Sequence, residues 1–348
     1  MKINLSTVSS NIRIFTTVVF ALACVTPGVA QSRPASTEPA VSQSKGSGQA
    51  FPTRAITVVV PFPTGGTADL LPRLIAPLLS RSLGVPVVVD NRPGASGAIG
   101  ASIVAKAKPD GHTLLVVTPP ILAANQWLYK DLIYSPEKDF ATITNAASAP
   151  NIIAVHPSIP AKNLKEFIAF AKARPDQLSF ASGGNGTTHH LCGELLKTSA
   201  GIKMLHMPYK GVGPAQQDLR SGRVPIMCDN FSNLIPLVRA GNLRALALTA
   251  NTRHAQAPDI PTANESGLPG FEVSVWFGFV APAGTPRALI DRLNTEITNA
   301  LRASETAERI APLGLTVIAD SPESFARFVA TEAARWREVV RVSGARVD

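Results

Sequence analysis

Residues 56–69 read Ile-Thr-Val-Val-Val-Pro-Phe-Pro-Thr-Gly-Gly-Thr-Ala-Asp, and the rest of the chain is organised around this stretch. Its first five residues are β-branched and do not alternate with polar ones, which predicts a strand buried on both faces, as in a parallel sheet. Pro61 ends the strand, because proline cannot donate a ladder hydrogen bond. Gly65 and Gly66 then permit a tight turn into an amphipathic helical pattern over residues 70–79. The stretch therefore predicts a strand, a glycine turn and a helix in that order.

A glycine turn at the start of a helix is a potential anion site, because free N–H groups meet the positive end of the helix dipole there. The same order recurs at residues 182–188, Ser-Gly-Gly-Asn-Gly-Thr-Thr, between a predicted strand (178–181) and a predicted helix (189–200). We call residues 62–67 the first glycine loop and residues 182–188 the second. Together they predict a site for a dicarboxylate with one carboxylate at each loop. An ordinary turn that binds nothing is the alternative for either loop alone.

Predicted strands and helices alternate along most of the chain, which is typical of an α/β fold with mostly parallel sheets flanked by helices. The pattern restarts after a strand at residues 152–155. The C-terminal strand and helices are expected to return to the first group. We therefore predict two domains: residues 51–152 together with 273–348, and residues 153–272. Two crossings between domains would form a hinge with a cleft.

Composition restricts the class of protein. The chain has 348 residues, of which 45% are hydrophobic and 16% charged, so it can bury large cores. The formal net charge is +9, but no dense basic run indicates nucleic-acid binding. No apolar stretch is long enough to predict a membrane span.

The N-terminal residues predict export. Residues 1–30 combine basic residues, an apolar run of about a dozen residues and small residues before a cleavage position after Ala30, which is typical of a secretory signal peptide. Lipid attachment at Cys24 is the alternative. Residues 31–50 are rich in Ser, Pro, Gly and Gln without periodicity, which predicts a disordered linker. The expected location is outside the cytoplasm.

Two cysteines remain after the signal peptide, Cys192 and Cys228. In an oxidising compartment they could form a disulfide. The alternative is a pair of buried thiols, since free cysteine is among the most buried residue types.

No catalytic motif is present, neither a Gly-x-Ser-x-Gly nucleophile elbow, nor His-Glu-x-x-His, nor a phosphate-binding P-loop. His189 and His190 do not share a helix face, because adjacent residues diverge by about 100°. His190 and Glu194 are spaced i,i+4, but two ligands are too few for zinc. A core or capping role is favoured for these histidines, and we expect no metal, no cofactor and no enzymatic activity.

Asp229 ends a predicted strand. Its carboxylate could accept a hydrogen bond from an amine, hydroxyl or water on a ligand. An N-cap role for the following helix is the alternative.

Eight blocks of sequence resemble the substrate-binding receptors of tripartite tricarboxylate transporters, the Bug family of extracytoplasmic solute receptors. The blocks lie at residues 51–54 (Phe-Pro-Thr-Arg), 60–69, 87–97 (Val-Val-Val-Asp-Asn-Arg-Pro-Gly-Ala-Ser-Gly), 109–115 (Pro-Asp-Gly-His-Thr-Leu-Leu), 208–211 (Pro-Tyr-Lys-Gly), 240–247, 258–262 and 281–286.

The resemblance implies a two-domain periplasmic-binding-protein (Venus-flytrap) fold and a non-catalytic receptor. Its ligand would be a small organic anion, and its partners the permease subunits of a membrane transporter. No nucleic acid is implied, and the receptor would act as a monomer. A periplasmic sensor that docks a membrane signalling protein is the alternative, since it would need the same cleft.

The residues expected to bind the ligand come from the two glycine loops and one strand end. They are Phe62, Pro63, Thr64, Gly65, Gly66, Thr67, Ser182, Gly183, Asn185, Gly186, Thr187, Thr188 and Asp229. Two positions depart from the family pattern. Thr64 stands before the glycines of the first loop, where the family often has Pro-Gly-Gly, and the second loop reads Gly-Gly-Asn-Gly. The identity of the ligand therefore cannot be transferred.

Overall fold

The structure is a computed structural model that describes residues 51–347. The predicted signal peptide, the predicted linker and Cys24 lie outside the described residues. Within residues 51–347, no helix combines the length and the apolar composition needed to cross a membrane.

Strands and helices alternate through the described residues. The strands are β1 (Ile56–Val60), β2 (Val87–Asn91), β3 (Thr113–Val117), β4 (Phe140–Val155), β5 (Ser179–Ser182), β6 (Leu205–Pro208), β7 (Ile226–Asn230), β8 (Arg244–Leu248), β9 (Ser274–Pro282) and β10 (Thr316–Val317). The α-helices are α1 (Thr67–Leu83), α2 (Ala98–Ala105), α3 (Asn125–Leu128), α4 (Leu164–Lys172), α5 (Thr188–Ala200), α6 (Val212–Arg220), α7 (Phe231–Arg239), α8 (Arg287–Arg302), α9 (Ser304–Ile310) and α10 (Pro322–Ser343).

Two groups of parallel strands are joined by antiparallel ones. In the first group β1 lies between β2 and β3, and in the second β5 lies between β6 and β7. Strand β9 pairs antiparallel with β3 and with residues 140–150 of β4, while residues 151–155 of β4 pair with β7. Strand β4 therefore changes partner between Pro150 and Asn151, and it connects the two parallel groups.

The central strand β1 is covered on both faces. Val59 packs in one hydrophobic cluster with Leu115, whereas Val58 and Val60 pack in another with Leu114. All of these side chains are at most 2% exposed. This confirms the buried strand that the continuous apolar run predicts.

The structure differs from the sequence-based prediction in the antiparallel strands. Only residues 152–155 were expected to form a strand, whereas β4 has 16 residues. The additional part contains several alanines and Pro150, which are poor strand formers. Pairing with β9 over nine residue pairs overrides this weak local preference. The predicted boundary at residues 152/153 falls inside β4, and the division into two domains stays a prediction.

Candidate functional site

The first glycine loop presents open backbone donors at the start of α1. Gly66 precedes the helix in an extended conformation, and no side chain caps it. The N–H groups of Gly66, Thr67 and Ala68 have no acceptor within residues 51–347. Gly65, at φ 92°, instead donates its N–H to Asp69 Oδ2 at 3.0 Å. The helix end therefore keeps three unpaired N–H groups, although Asp69 places a negative charge in its first turn.

A polar network holds this loop from behind. Asp69 is 3% exposed, and its Oδ1 accepts from Arg73 Nε and Asn91 Nδ2, each at 2.9 Å. Asn91 Nδ2 also donates to the carbonyl oxygen of Phe62 at 3.0 Å. The residues on both sides of the loop are thereby tied to strand β2.

The second glycine loop is constructed differently. Thr187 caps α5 by accepting a hydrogen bond from His190 N, while the N–H groups of Thr188 and His189 have no acceptor within residues 51–347. Ser182 Oγ accepts from Gly184 N at 3.1 Å and lies 2.6 Å from His206 Nε2. Hydrogen bonds within the loop thus fix its shape and leave the first turn of α5 open.

Stacked aromatic rings support this second loop. The rings of His190 and His206 stack at 4.0 Å, and Phe180 stacks on His206 at 4.8 Å. Burial lowers the pKa of His190 to about 4, and the nearby Lys197 adds to the effect. Burial also lowers the pKa of His206 to about 3, together with repulsion from His190 and Lys197. A neutral His190 can accept at Nδ1, where Gly186 donates its N–H at 3.1 Å.

The two loops line one cavity of about 150 Å³. Eight of the residues predicted to bind a ligand contribute to its wall: Phe62, Pro63, Thr64, Gly66, Thr67, Gly183, Thr187 and Thr188. The walls approach closely, since a Cβ added to Gly211 would lie 3.1 Å from Pro63 Cγ. Thr67 Oγ1 also lies 2.5 Å from Ser232 Oγ on α7. The N-terminal ends of α1 and α5 therefore meet at the same cavity.

Five predicted residues do not line this cavity. Gly65 donates to Asp69, and the Ser182 hydroxyl is engaged by Gly184 N and by His206 on β6. The carbonyl oxygen of Asn185 accepts from the Ser96 hydroxyl, and a Cβ on Gly186 would lie 2.8 Å from the same hydroxyl oxygen. These four positions shape the loops or join them to neighbouring segments.

Asp229, the fifth, is completely buried behind the wall. Its Oδ1 accepts from Asn230 N at 2.6 Å and Asn233 Nδ2 at 2.9 Å, and its Oδ2 accepts from Gln216 Nε2 at 3.0 Å. Burial alone raises the pKa of Asp229, but the adjacent His189 and these donors outweigh burial and lower it. Residue Asn230, rather than Asp229, occupies the cap position of α7.

Several cavity residues were not expected from the sequence. These residues lie outside the set predicted to bind the ligand, and they are Ala68, Thr118, Pro120, His189, Lys210, Gly211, Val212, Gly213, Pro214, Asn230, Asn233, Val275 and Phe277. Thr118 and Asn230 are buried, and Thr118 Oγ1 and Asn230 Oδ1 have no partner among the described residues. Both follow or end a parallel strand, where ligands of α/β proteins bind, so the topology rule could have found them. Val275 and Phe277 lie on β9, whose distant pairing gives no local signal.

Lys210 changes the expected electrostatics. The residues predicted to bind the ligand include no lysine or arginine, yet the exposed Lys210 contributes to the wall. Among residues 51–347, no aspartate or glutamate lines the cavity. The wall therefore combines one ammonium group with two positive helix ends, an arrangement that favours a bound anion.

Cys192 and Cys228 form a disulfide. Cys192 lies on α5, which opens the second wall, and Cys228 lies on β7 next to Asp229. The bond thereby holds the helix end and the strand end of this wall together.

Known proteins resemble this chain over most of its length. Residues 71–344 match the model of the tripartite tricarboxylate transporter family receptor. Protein BugT of Bordetella pertussis is 38% identical over 304 residues, which cover 86% of this chain and 93% of BugT.

Two solved structures are also similar. Rpa4515 of R. palustris with adipate has a TM-score of 0.82 at 39% identity, covering 85% of this chain and all of that one. MatC (Rpa3494) from Rhodopseudomonas palustris with bound malate has a TM-score of 0.80 at 37% identity, and the match covers 83% of this chain and all of MatC. The match confirms the predicted periplasmic-binding-protein fold. The chain belongs to the tripartite tricarboxylate transporter receptor family, the Bug-type solute-binding proteins, which are receptors and not enzymes.

Proposed function

We propose that this protein captures a small carboxylate in the cavity between the glycine loops and delivers it to a membrane transporter of the tripartite tricarboxylate type. The observation that carries the proposal is the meeting of two helix ends with unpaired N–H groups, the uncapped start of α1 and the start of α5, at one cavity that Lys210 also lines. In the described part of the chain, five N–H groups without a protein acceptor border this wall, and no acidic side chain contributes to it. A carboxylate provides the acceptors and the negative charge that this wall lacks.

Size supports the same class of ligand. A cavity of about 150 Å³ in another protein holds a benzene molecule, which has roughly six heavy atoms. A short carboxylate such as butyrate has roughly the same number of heavy atoms, and relatives of this chain have been solved with the larger adipate and malate. The apolar wall residues Phe62, Val275 and Phe277 suit a short methylene chain.

We further propose that the cavity is the cleft between the two domains predicted from the sequence. The first glycine loop belongs to residues 51–152, and the second to residues 153–272. The approach of Pro63 to Gly211 joins these two segments across the cavity. The receptor would work as a monomer in the periplasm, with the permease subunits as its membrane partners.

Thermal unfolding with a panel of mono-, di- and tricarboxylates tests the proposal. The protein is first unfolded, dialysed and refolded, because a copurified ligand would mask binding. A ligand at 100 times its dissociation constant should add about 2.7 kcal/mol to the free energy of unfolding. A clear rise of the midpoint with one carboxylate class supports the proposal. The absence of any shift across the panel, with the refolded protein, would contradict it.

A further inference from the structure

A contact beside the cavity joins the second glycine loop to the turn between β2 and α2. The Ser96 hydroxyl donates a hydrogen bond to the carbonyl oxygen of Asn185. A Cβ added to Gly186 would lie 2.8 Å from Ser96 Oγ and 3.3 Å from Ser96 Cβ. All three are described residues, and none of them contributes to the cavity wall. The two segments therefore meet beside the space for a ligand and not inside it.

The backbone of this turn is unfavourable by itself. Ala95 has φ 46° and Ser96 has φ 50°, in the left-handed region that costs free energy for a residue with a side chain. Asn125 Nδ2 donates to the carbonyl oxygen of Ser96 at 3.3 Å, and Asn125 is completely buried. A buried amide thus helps to hold Ser96 in this conformation, with its hydroxyl directed at the second loop. An unfavourable conformation that its surroundings maintain is typical of functional segments.

The segment after α10 reaches the same place from another direction. A Cβ added to Gly186 would also lie 3.3 Å from Val347 Cγ2. Ala345 is 5% exposed, and its N–H donates to Ser343 Oγ at 3.3 Å, so this segment is fixed to the end of α10. Gly186 therefore has a polar neighbour and an apolar neighbour, from two segments that are distant in sequence.

Both neighbours belong to one predicted domain, and the loop belongs to the other. Ser96 falls within residues 51–152 and Val347 within residues 273–348, whereas Gly186 falls within residues 153–272. The contact involves neither β4 nor β9, the strands at the two predicted crossings between the domains. It can therefore be lost without unpairing a strand.

The strength of the contact suits a reversible role. The hydrogen bond between Ser96 and Asn185 is exposed, so water can replace it at both ends when the segments separate. One neutral hydrogen bond and one apolar contact change an equilibrium by a small factor. A contact that favours the closed state to this extent slows the release of a bound ligand and does not prevent it.

We propose that Ser96, Asn185, Gly186 and Val347 form a latch, which holds the cavity closed from the outside and sets the rate at which the ligand leaves. The latch forms when the two predicted domains close, and it is lost when they open. Its residues do not touch the ligand. This inference rests on the proposed function, because it needs a ligand and a cleft, and it adds residues that control release.

A cross-link tests the latch directly. In the double variant Ser96→Cys with Gly186→Cys, the two Cβ atoms would lie 3.3 Å apart, close to the separation of about 3.5–4.5 Å found in disulfides. The probe is chosen from adipate, malate, butyrate and citrate as the one that raises the unfolding midpoint of the refolded wild type most. With the probe bound before oxidation, its dissociation should slow by about a hundredfold or more, because release then requires local unfolding. Oxidation before the probe is added should slow its association in the same way.

The single variants Ser96→Cys and Gly186→Cys are the controls for the cross-link. Gly186 has φ 75°, so a side chain strains the backbone there, and the single variant measures that effect separately. Mass spectrometry establishes that the new pair is linked and that the native pair of Cys192 and Cys228 is intact.

Substitutions in the turn measure the latch without a cross-link. Ser96→Ala removes the hydroxyl and keeps a side chain, so the probe should dissociate about fivefold faster, the effect of one neutral hydrogen bond, with a nearly unchanged association rate. Ser96→Gly also relieves the backbone and should accelerate dissociation to the same extent. Ala95→Gly relieves the backbone but keeps the hydroxyl, and we expect its dissociation rate to match that of the wild type. Urea unfolding without ligand establishes that all three variants fold.

The outcomes are distinguishable. If the oxidised double variant exchanges the probe as fast as the single variants, the two segments do not separate during loading, and the inference is wrong although the proposed function stands. If the cross-link does not form, Ser96→Ala decides, and an unchanged dissociation rate contradicts the latch. If none of the four probes binds the wild type, the proposed function fails and the inference fails with it.

Discussion

The two glycine loops present the same feature, an open helix end, on two different supports. The first loop is held by a polar network of Asp69, Asn91 and Arg73, in which the arginine side chain is 44% exposed. The second loop is held from within, by stacked rings and by a disulfide one turn along α5. Backbone donors can thus be positioned either by hydrogen bonds near the surface or by packing and covalent linkage. The two supports should respond differently to mutation and to solution conditions.

Removal of the disulfide should have the largest effect. The link closes a loop with a sequence separation of 36 residues. Loss of the restraint on the unfolded chain should therefore cost about 4 kcal/mol. We expect the double variant Cys192→Ala and Cys228→Ala to unfold at a correspondingly lower urea concentration. Reductant should destabilise the wild type and leave the variant unchanged. Equal urea midpoints for the variant and the oxidised wild type would contradict this view of the second loop.

The first loop should depend most on Asp69. Asp69→Ala leaves Gly65 N without its acceptor and Asn91 Nδ2 with only the carbonyl oxygen of Phe62, so we expect a loss of about 2 kcal/mol in the free energy of unfolding. Arg73→Ala removes the partly exposed member of the network and should cost less than about 1 kcal/mol. Urea unfolding of both variants provides the comparison. Equal losses would show that the exposed ion pair, and not the buried carboxylate, supports the loop.

An alanine in each loop compares their tolerance to added volume. A Cβ at Gly183 would lie 3.1 Å from both His189 Nδ1 and Val212 Cγ1, whereas a Cβ at Gly66 meets only Val212 Cγ2 at 3.8 Å. Neither glycine has a positive φ, so the change tests space rather than backbone strain. We expect Gly183→Ala to weaken carboxylate binding about tenfold, or roughly 1.4 kcal/mol, and Gly66→Ala much less. Calorimetry with the best ligand measures both, and the reverse order would contradict the comparison.

The smallest effect at neutral pH should come from the stacked histidines. An unfolded histidine takes up a proton near pH 6.5, but folded His190 and His206 do so only near pH 4 and pH 3. Between these values the unfolded state binds more protons. The stabilisation is therefore complete above about pH 6.5 and is lost as the pH falls toward 4 and below.

His206→Phe keeps the ring stack and removes one of these titrations. Its unfolding midpoint should decrease less than that of the wild type as the pH falls from 7 to 4. Parallel curves would show that His206 does not contribute to the acid sensitivity of the second loop.

Local chemistry explains which parts of the site were predictable. Gly66 and Thr67 belong to one short motif, and so do Gly183 and Thr188, so sequence order alone places them at helix ends. The pairing of His189 with Asp229 joins residues 40 positions apart, and it depends on how α5 packs on β7. His189 was expected in the core or as a cap, and it is buried, but its place in the cavity wall gave no sequence signal.

In the fold, too, local patterns were predictable and distant pairings were not. The parallel groups follow from apolar runs between glycine turns, and the similarity to known receptors confirms the architecture as a whole. The long antiparallel pairing of β4 with β9 was not predicted, because the alanines of residues 146–149 and Pro150 interrupt the strand pattern between residues 140–144 and 152–155. The ligand-binding role of the loop residues stays a prediction.

The exchange of partners within β4 has a mechanical consequence. Residues 140–150 are laddered to β9, and from Asn151 onward the same strand is laddered to β7. Pro150 has no N–H to contribute at that junction, so the ladder of hydrogen bonds is weaker there. If the walls of the cavity separate to admit a ligand, we expect the two parts of β4 to rotate relative to each other at this junction. The resistance of these few peptide units to rotation would then limit the rates at which the receptor binds and releases its ligand.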